Sequence, residues 1–128
     1  MNIALIGYGR MGHIIEEIAV ARGHRIGIIV DIDNTNDLNR EKFKDIDVAI
    51  EFSSPKAALE NVSSCLKLGV SVVSGTTGWL KDMHKVLDIC STSNAAFIHS
   101  ANFSIGVNLL FHLNSELSKQ MNRYREYT

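Results

Sequence analysis

The chain has little of what cross-links or stiffens small proteins. Its 128 residues include two cysteines and one proline. Cys65 and Cys90 form no C-x-x-C pair and have no regularly spaced histidines beside them, so neither a disulfide framework nor a structural zinc site is expected. Charge of one sign is also lacking. Thirteen Lys and Arg against fourteen Asp and Glu leave a net charge of -1, which gives no cationic field to hold a nucleic-acid backbone. Long hydrophobic runs are missing too. The start, Met1 to Gly7, has no basic lead, and glycine breaks its apolar run far short of membrane-spanning length. No signal peptide, membrane span or membrane partner is expected, and a cytoplasmic location is. No internal repeat or low-complexity segment occurs. What is present is 45% hydrophobic and 21% charged residues, the composition of one ordinary domain, which at this length buries roughly two thirds of its unfolded surface.

Apolar runs of strand length recur at Ile3–Ile6, Ile26–Val30, Val48–Phe52, Val70–Val73 and Ala96–Ile98, and amphipathic stretches separate most of them. That alternation predicts an α/β fold: a Rossmann-type doubly wound parallel sheet of five or more strands in order 3-2-1-4-5, with helices on both faces. Met11, Ile14, Ile15, Ile18 and Ala19 mark the inward face of a first helix, ended by Gly23. Ser54 and Pro55 read as the cap and first position of a helix whose stripe is Ala58, Leu59, Val62, Cys65 and Leu66, ending at Gly69. A third helix is expected over about Leu80–Cys90, with Met83, Val86, Leu87 and Cys90 inward. A fourth follows Ser104, with Leu110, Leu113, Leu117 and Met121 on one side. Asp31–Arg40 is polar and irregular, a loop with at most a helical turn after it. The end, Asn122 to Thr128, carries no terminating element.

Gly7-Tyr8-Gly9-Arg10-Met11-Gly12 matches G-x-G-x-x-G, a weak pattern alone. Here it directly follows the first strand and opens the first helix, the context that dinucleotide binding requires. Gly7 would permit the turn, Gly9 the approach of a pyrophosphate, and Gly12 close helix–strand packing, with the phosphates on the helix N-terminus. Asp31 lies 19 residues beyond Gly12, after the second strand, where an acid would accept hydrogen bonds from the adenosine ribose and repel a 2'-phosphate. This favours NAD(H). Arg10, in the glycine loop itself, leaves NADP(H) open.

Three more segments follow strand ends: Phe52-Ser53-Ser54-Pro55, Gly75-Thr76-Thr77-Gly78-Trp79, and Ser100-Ala101-Asn102-Phe103-Ser104-Ile105-Gly106-Val107-Asn108. With the glycine loop they closely resemble the N-terminal half of the 4-hydroxy-tetrahydrodipicolinate (dihydrodipicolinate) reductases, over essentially the whole chain. The resemblance implies a reductase that transfers hydride to a cyclic imine dicarboxylate in diaminopimelate and lysine biosynthesis. It implies that residues 7–12 hold the pyrophosphate and Asp31 the ribose. Phe52 and Ser53 would flank the cofactor, while Gly75, Thr76, Thr77, Ser100, Ala101, Asn102 and Phe103 would position the nicotinamide and its carboxamide. Thr77 would also touch substrate. It divides the chain into a cofactor domain, 1–103, and a helix with the start of a connection, 104–128. The family's histidine pair, lysine and P-S-G-T-A segment, which bind the dicarboxylate and donate the proton, have no counterpart here. No catalytic residue is therefore expected in this chain, which should be inactive alone and monomeric or weakly dimeric, where the full-length family is homotetrameric. The other functions in view are a stand-alone dinucleotide-binding or sensor module and a different Rossmann oxidoreductase such as an amino-acid dehydrogenase.

Other residues have plainer readings. His13, His24, His84, His99 and His112 lack spaced partners and read as surface or structural, with only His99 near a strand end. Cys65 and Cys90 read as small hydrophobes. Trp79 either covers the cofactor or packs under its loop. Ser104 reads as a helix cap.

Overall fold

In a computed structural model, which describes residues 1–124 and 126, five parallel strands form one sheet: β1 (Asn2–Ile6), β2 (Arg25–Val30), β3 (Val48–Glu51), β4 (Ser71–Ser74) and β5 (Phe97–His99). The helices are α1 (Arg10–Ala21), α2 (Arg40–Phe43), α3 (Ala58–Lys67), α4 (Met83–Thr92) and α5 (Ile105–Met121). Side-chain alternation divides the core between the faces. Ile3 and Leu5 pack with Ala19 of α1 on one face, while Ala4, Ile6, Val30, Ala49 and Val72 pack with Val62 and Leu66 of α3 and Val86 of α4 on the other. Helices thus cover both faces, as a parallel sheet demands.

The strand order is β2-β1-β3-β4-β5, which corrects the expected 3-2-1-4-5. The third strand pairs with the far side of β1 instead of lying outside β2. Burial explains the choice. Ala49 and Glu51 are fully buried and need neighbours on both sides, whereas β2 carries exposed Arg25 and Gly27 and tolerates an edge. The connection 31–47 holds only a 3-10 turn at Thr35–Asp37 and the four-residue α2, so it adds no strand outside β2. The order is that of a 3-2-1-4-5 sheet without its outermost member, and chain reversal falls between β1 and β3.

Several helix faces also differ from expectation. On α1, Gly12 and Ala19 are buried, but Met11, Ile14 and Ile18 are about half exposed, because only a narrow strip of this helix meets β1 and β2. Leu87 of α4 faces outward. Ser54 and Pro55 stand ahead of α3: the Ser54 carbonyl accepts from the Ala57 and Ala58 amides, and an irregular turn delays the helix to Ala58. Leu80–Asp82 is a 3-10 turn, and α4 starts at Met83. α5 begins as expected, with the Ser104 hydroxyl accepting from the Val107 amide, yet none of its residues is buried. Leu110, Leu113, Leu117 and Met121, expected on one side of it, are all exposed. The expected segment 104–128 is described as far as Tyr124 and at residue 126, and its remainder lies outside the described residues. Among the described residues no helix is long and apolar enough to cross a membrane, and no cluster of side chains could hold a metal ion.

Candidate functional site

The strands end in one row. Register aligns Val30, Ile6, Glu51, Ser74 and His99 across the sheet. Each following residue extends the ladder: the amides of Gly7, Phe52, Gly75 and Ser100 donate to Val30, Ile6, Glu51 and Ser74 carbonyls at 2.8, 2.8, 2.9 and 3.2 Å. The loops therefore leave the sheet from a common line, and ligands of open parallel sheets gather beyond such strand ends. Gly7 has φ +89°, and a Cβ there would lie 2.2 Å from the Phe52 carbonyl oxygen. Only glycine lets these two loops cross so closely.

Two cavities lie along the line. One, of about 380 Å³, is lined by residues 6–9, 30–32 and 52–54 with Thr35, Ala57 and Asn61. The other, of about 370 Å³, is lined by residues 9–11 and 75–77 with Phe52, Ser53 and Pro55. They share Gly9, Phe52 and Ser53. Gly9 is informative because nothing in the chain requires it. Its φ is -80°, and a Cβ would meet no atom within 4 Å. A residue that is small for no internal reason, between two cavities, suits the close approach of a ligand. Gly9 is also the N-cap of α1, where no side chain caps the helix and no acid occupies the first turn. The N–H groups of the first turn are left to bind an anion. Asp31 lines the first cavity from the end of β2, exposed, its carboxylate without a hydrogen-bond or ion-pair partner among the described residues. Among the described residues, Arg10 is the one cation lining either cavity.

Beneath the shared rim lies a buried carboxylate that sequence reading passed over. Glu51, fully buried at the end of β3, accepts at Oε1 from the Ser53 amide (3.0 Å), the Ser53 hydroxyl (2.5 Å) and the Thr76 hydroxyl (2.8 Å), and at Oε2 from the Ser74 hydroxyl (2.5 Å). No cation pairs with it among the described residues. Hydrogen-bond donors alone offset the cost of burying this polar group. The signal was an acid inside an apolar strand, followed by hydroxyl residues at 53, 74 and 76.

The other expected site residues are distributed unevenly. Gly12 lies under the loop, where a Cβ would come 2.6 Å from the Gly7 carbonyl oxygen. Gly75 passes under the Phe52 ring, with room for no Cβ. Thr76 spends its groups internally: its hydroxyl serves Glu51 and the Ser53 amide, and its carbonyl accepts from Trp79 Nε1 (2.8 Å) and His99 Nε2 (3.0 Å). Trp79 is accordingly a buried packing residue against Phe97 and His99. Ser100, Ala101, Asn102 and Phe103 line neither cavity, although the Phe103 ring lies 6.5 Å from that of Phe52. The Tyr8 hydroxyl donates to the Glu16 carboxylate, which pushes the phenol above its ordinary pKa. Its ring packs against that of His13, tilted by 56° with centroids 4.0 Å apart, beside the first cavity. Cys65 is buried in the core, where burial foremost and the Glu51 charge second push the thiol up to about 12.

Comparison with known proteins adds a family. The model described as "Dihydrodipicolinate reductase, N-terminus" matches residues 1–103. The 4-hydroxy-tetrahydrodipicolinate reductase of Christiangramia forsetii is 51% identical over 129 aligned positions, covering 100% of this chain and 53% of that protein. The enzyme of the same description from Thermosipho africanus is 32% identical, over 95% of this chain and 54% of its own length. The chain thus spans about half the length of the curated relatives it matches. Among solved structures, aspartate dehydrogenase from Thermotoga maritima superposes with a TM-score of 0.60 at 20% identity, over 86% of this chain and 49% of that one, a likeness of fold.

Proposed function

Because the chain belongs to the dihydrodipicolinate reductase N-terminus family, we propose that it is the NAD(P)H-binding half of a 4-hydroxy-tetrahydrodipicolinate reductase. In this reading hydride passes from the reduced nicotinamide to a cyclic imine dicarboxylate on the way to diaminopimelate and lysine. The observation that carries it is Gly9, open at the uncapped N-terminus of α1 and shared by both cavities. Residues 7–12 would hold the pyrophosphate, with the adenosine in the cavity of Asp31 and the nicotinamide in that of residues 75–77. Thr77, exposed at the second cavity, would meet substrate. When bound, the cofactor supplies the hydride; the chain supplies orientation and electrostatics.

The carboxylate of Asp31, which has no partner among the described residues, supports a preference for NADH over NADPH. It would accept two ribose hydroxyls and repel a 2'-phosphate. Residues 1–103 are then the cofactor unit, and α5 begins the connection to the part that binds the dicarboxylate. Titration of both cofactors against the parent and Asp31→Ala tests the reading. The parent should bind NADH more tightly. The variant should lose about 10- to 100-fold in NADH affinity, the worth of hydrogen bonds to a charged group. Equal affinities in the parent, unchanged in the variant, would remove Asp31 from the site.

A further inference from the structure

The Glu51 network does more than fill the space between β3 and β4, because it decides which way a hydroxyl on the rim can bond. A serine hydroxyl has one proton to give and two lone pairs to offer. The Ser53 proton goes to Glu51 Oε1 at 2.5 Å, and one lone pair accepts from Asn61 Nδ2 at 3.1 Å. One lone pair remains. Ser53 is half-buried and lines both cavities, so at their junction it offers an acceptor and no donor. Thr76 is oriented in the same way: its hydroxyl accepts from the Ser53 amide at 2.9 Å and donates to Oε1.

We propose that Glu51 is a positioning residue for the nicotinamide end of the cofactor. By taking the Ser53 proton it makes the β3 side of the junction, opposite Gly9, a hydrogen-bond acceptor, which takes a hydroxyl or amide donor of the nicotinamide riboside and keeps the phosphates on the α1 side. The proposal rests on the cofactor reading above. It explains why an acid unpaired by any cation among the described residues is kept under a site for an anionic ligand. The uncapped amides of α1 face the phosphates, and the Glu51–Ser53 pair keeps them from sliding toward β3.

The test compares NADH with ADP, which shares the adenosine and pyrophosphate but lacks the nicotinamide riboside. Calorimetric titration of Ser53→Ala should show NADH weakened about five- to tenfold, one hydrogen bond's worth, with ADP within about twofold of the parent. Glu51→Gln keeps an acceptor oxygen at the Oε1 position and should bind both ligands within about twofold of the parent. Glu51→Leu removes the acceptor and should match Ser53→Ala, with no further loss when the two are combined. If Glu51→Leu does not fold, as thermal melting would show, Ser53→Ala and Glu51→Gln decide the matter. Parental NADH affinity in Ser53→Ala, parallel loss of ADP, or a Glu51→Gln as weak as Ser53→Ala would each overturn the inference alone. A parent that binds neither ligand overturns the cofactor reading and the inference with it.

Discussion

At the scale of single residues, the two glycines of the first loop should separate stability from binding. Gly7 combines φ +89° with a backbone contact that admits no Cβ. Gly7→Ala should therefore destabilise by roughly 2 kcal/mol or more in denaturant unfolding, the left-handed strain plus the displacement of Phe52. Gly9 has neither constraint. Gly9→Ser gives α1 a side-chain cap it lacks, so its melting temperature should match or exceed the parent's while NADH binding is lost. A Gly9→Ser chain that binds like the parent would show that nothing passes between the cavities there. Cys65 offers a third test. Its thiol, pushed up by burial from the ordinary range to about 12, stays protonated in the fold when the unfolded chain has ionised. Its contribution to stability is thus complete below pH 9 and declines as pH rises from 9 toward 12. In a thiol-reagent assay near pH 8, half-buried Cys90 should react first and Cys65 only on unfolding.

At the scale of elements, α5 is the outlier. Its 17 residues bury no side chain, and a solitary helix of that length is marginal in water. Amide exchange should find α5 unprotected while α3, with Val62, Cys65 and Leu66 buried, opens only with the whole fold. Protection of α5 equal to that of α3 would mean that it is packed in solution. The contrast shows what a sequence can and cannot disclose. α1, α3, α4 and α5 all announced themselves through apolar spacing, because periodicity reports which residues can share a face. Whether a neighbour exists for that face is a property of topology, so Leu87 reads as inward and is exposed. Strand order was hidden for the same reason: nothing within Val48–Glu51 states which side of β1 it joins. Glu51 itself was lost inside an apolar run, its donors being 2, 23 and 25 residues away. The glycine loop and Asp31, in contrast, were legible because their backbone demands are local.

At the scale of the whole molecule, the two cavities together form a cleft suited to an elongated ligand, with Asp31 at one end and Thr77 at the other. Among the described residues no lysine and a single arginine line it, too little cationic surface to grip a dicarboxylate as well as a dinucleotide. Supplied with NADH and freshly generated dihydrodipicolinate-type substrate, the 128-residue chain should bind the cofactor without measurable turnover; oxidation of NADH at the rate of a full-length relative would show that a proton donor within the chain had been overlooked. The position of β1 also governs how such a chain is made. β1 leaves a ribosome before either of its two neighbours, β2 and β3, so an interior strand precedes both its partners. No nascent chain shorter than one reaching Glu51 can satisfy both its edges. Until then Ile3–Ile6 presents an unpaired apolar edge, the period in which synthesis is most open to aggregation or chaperone capture.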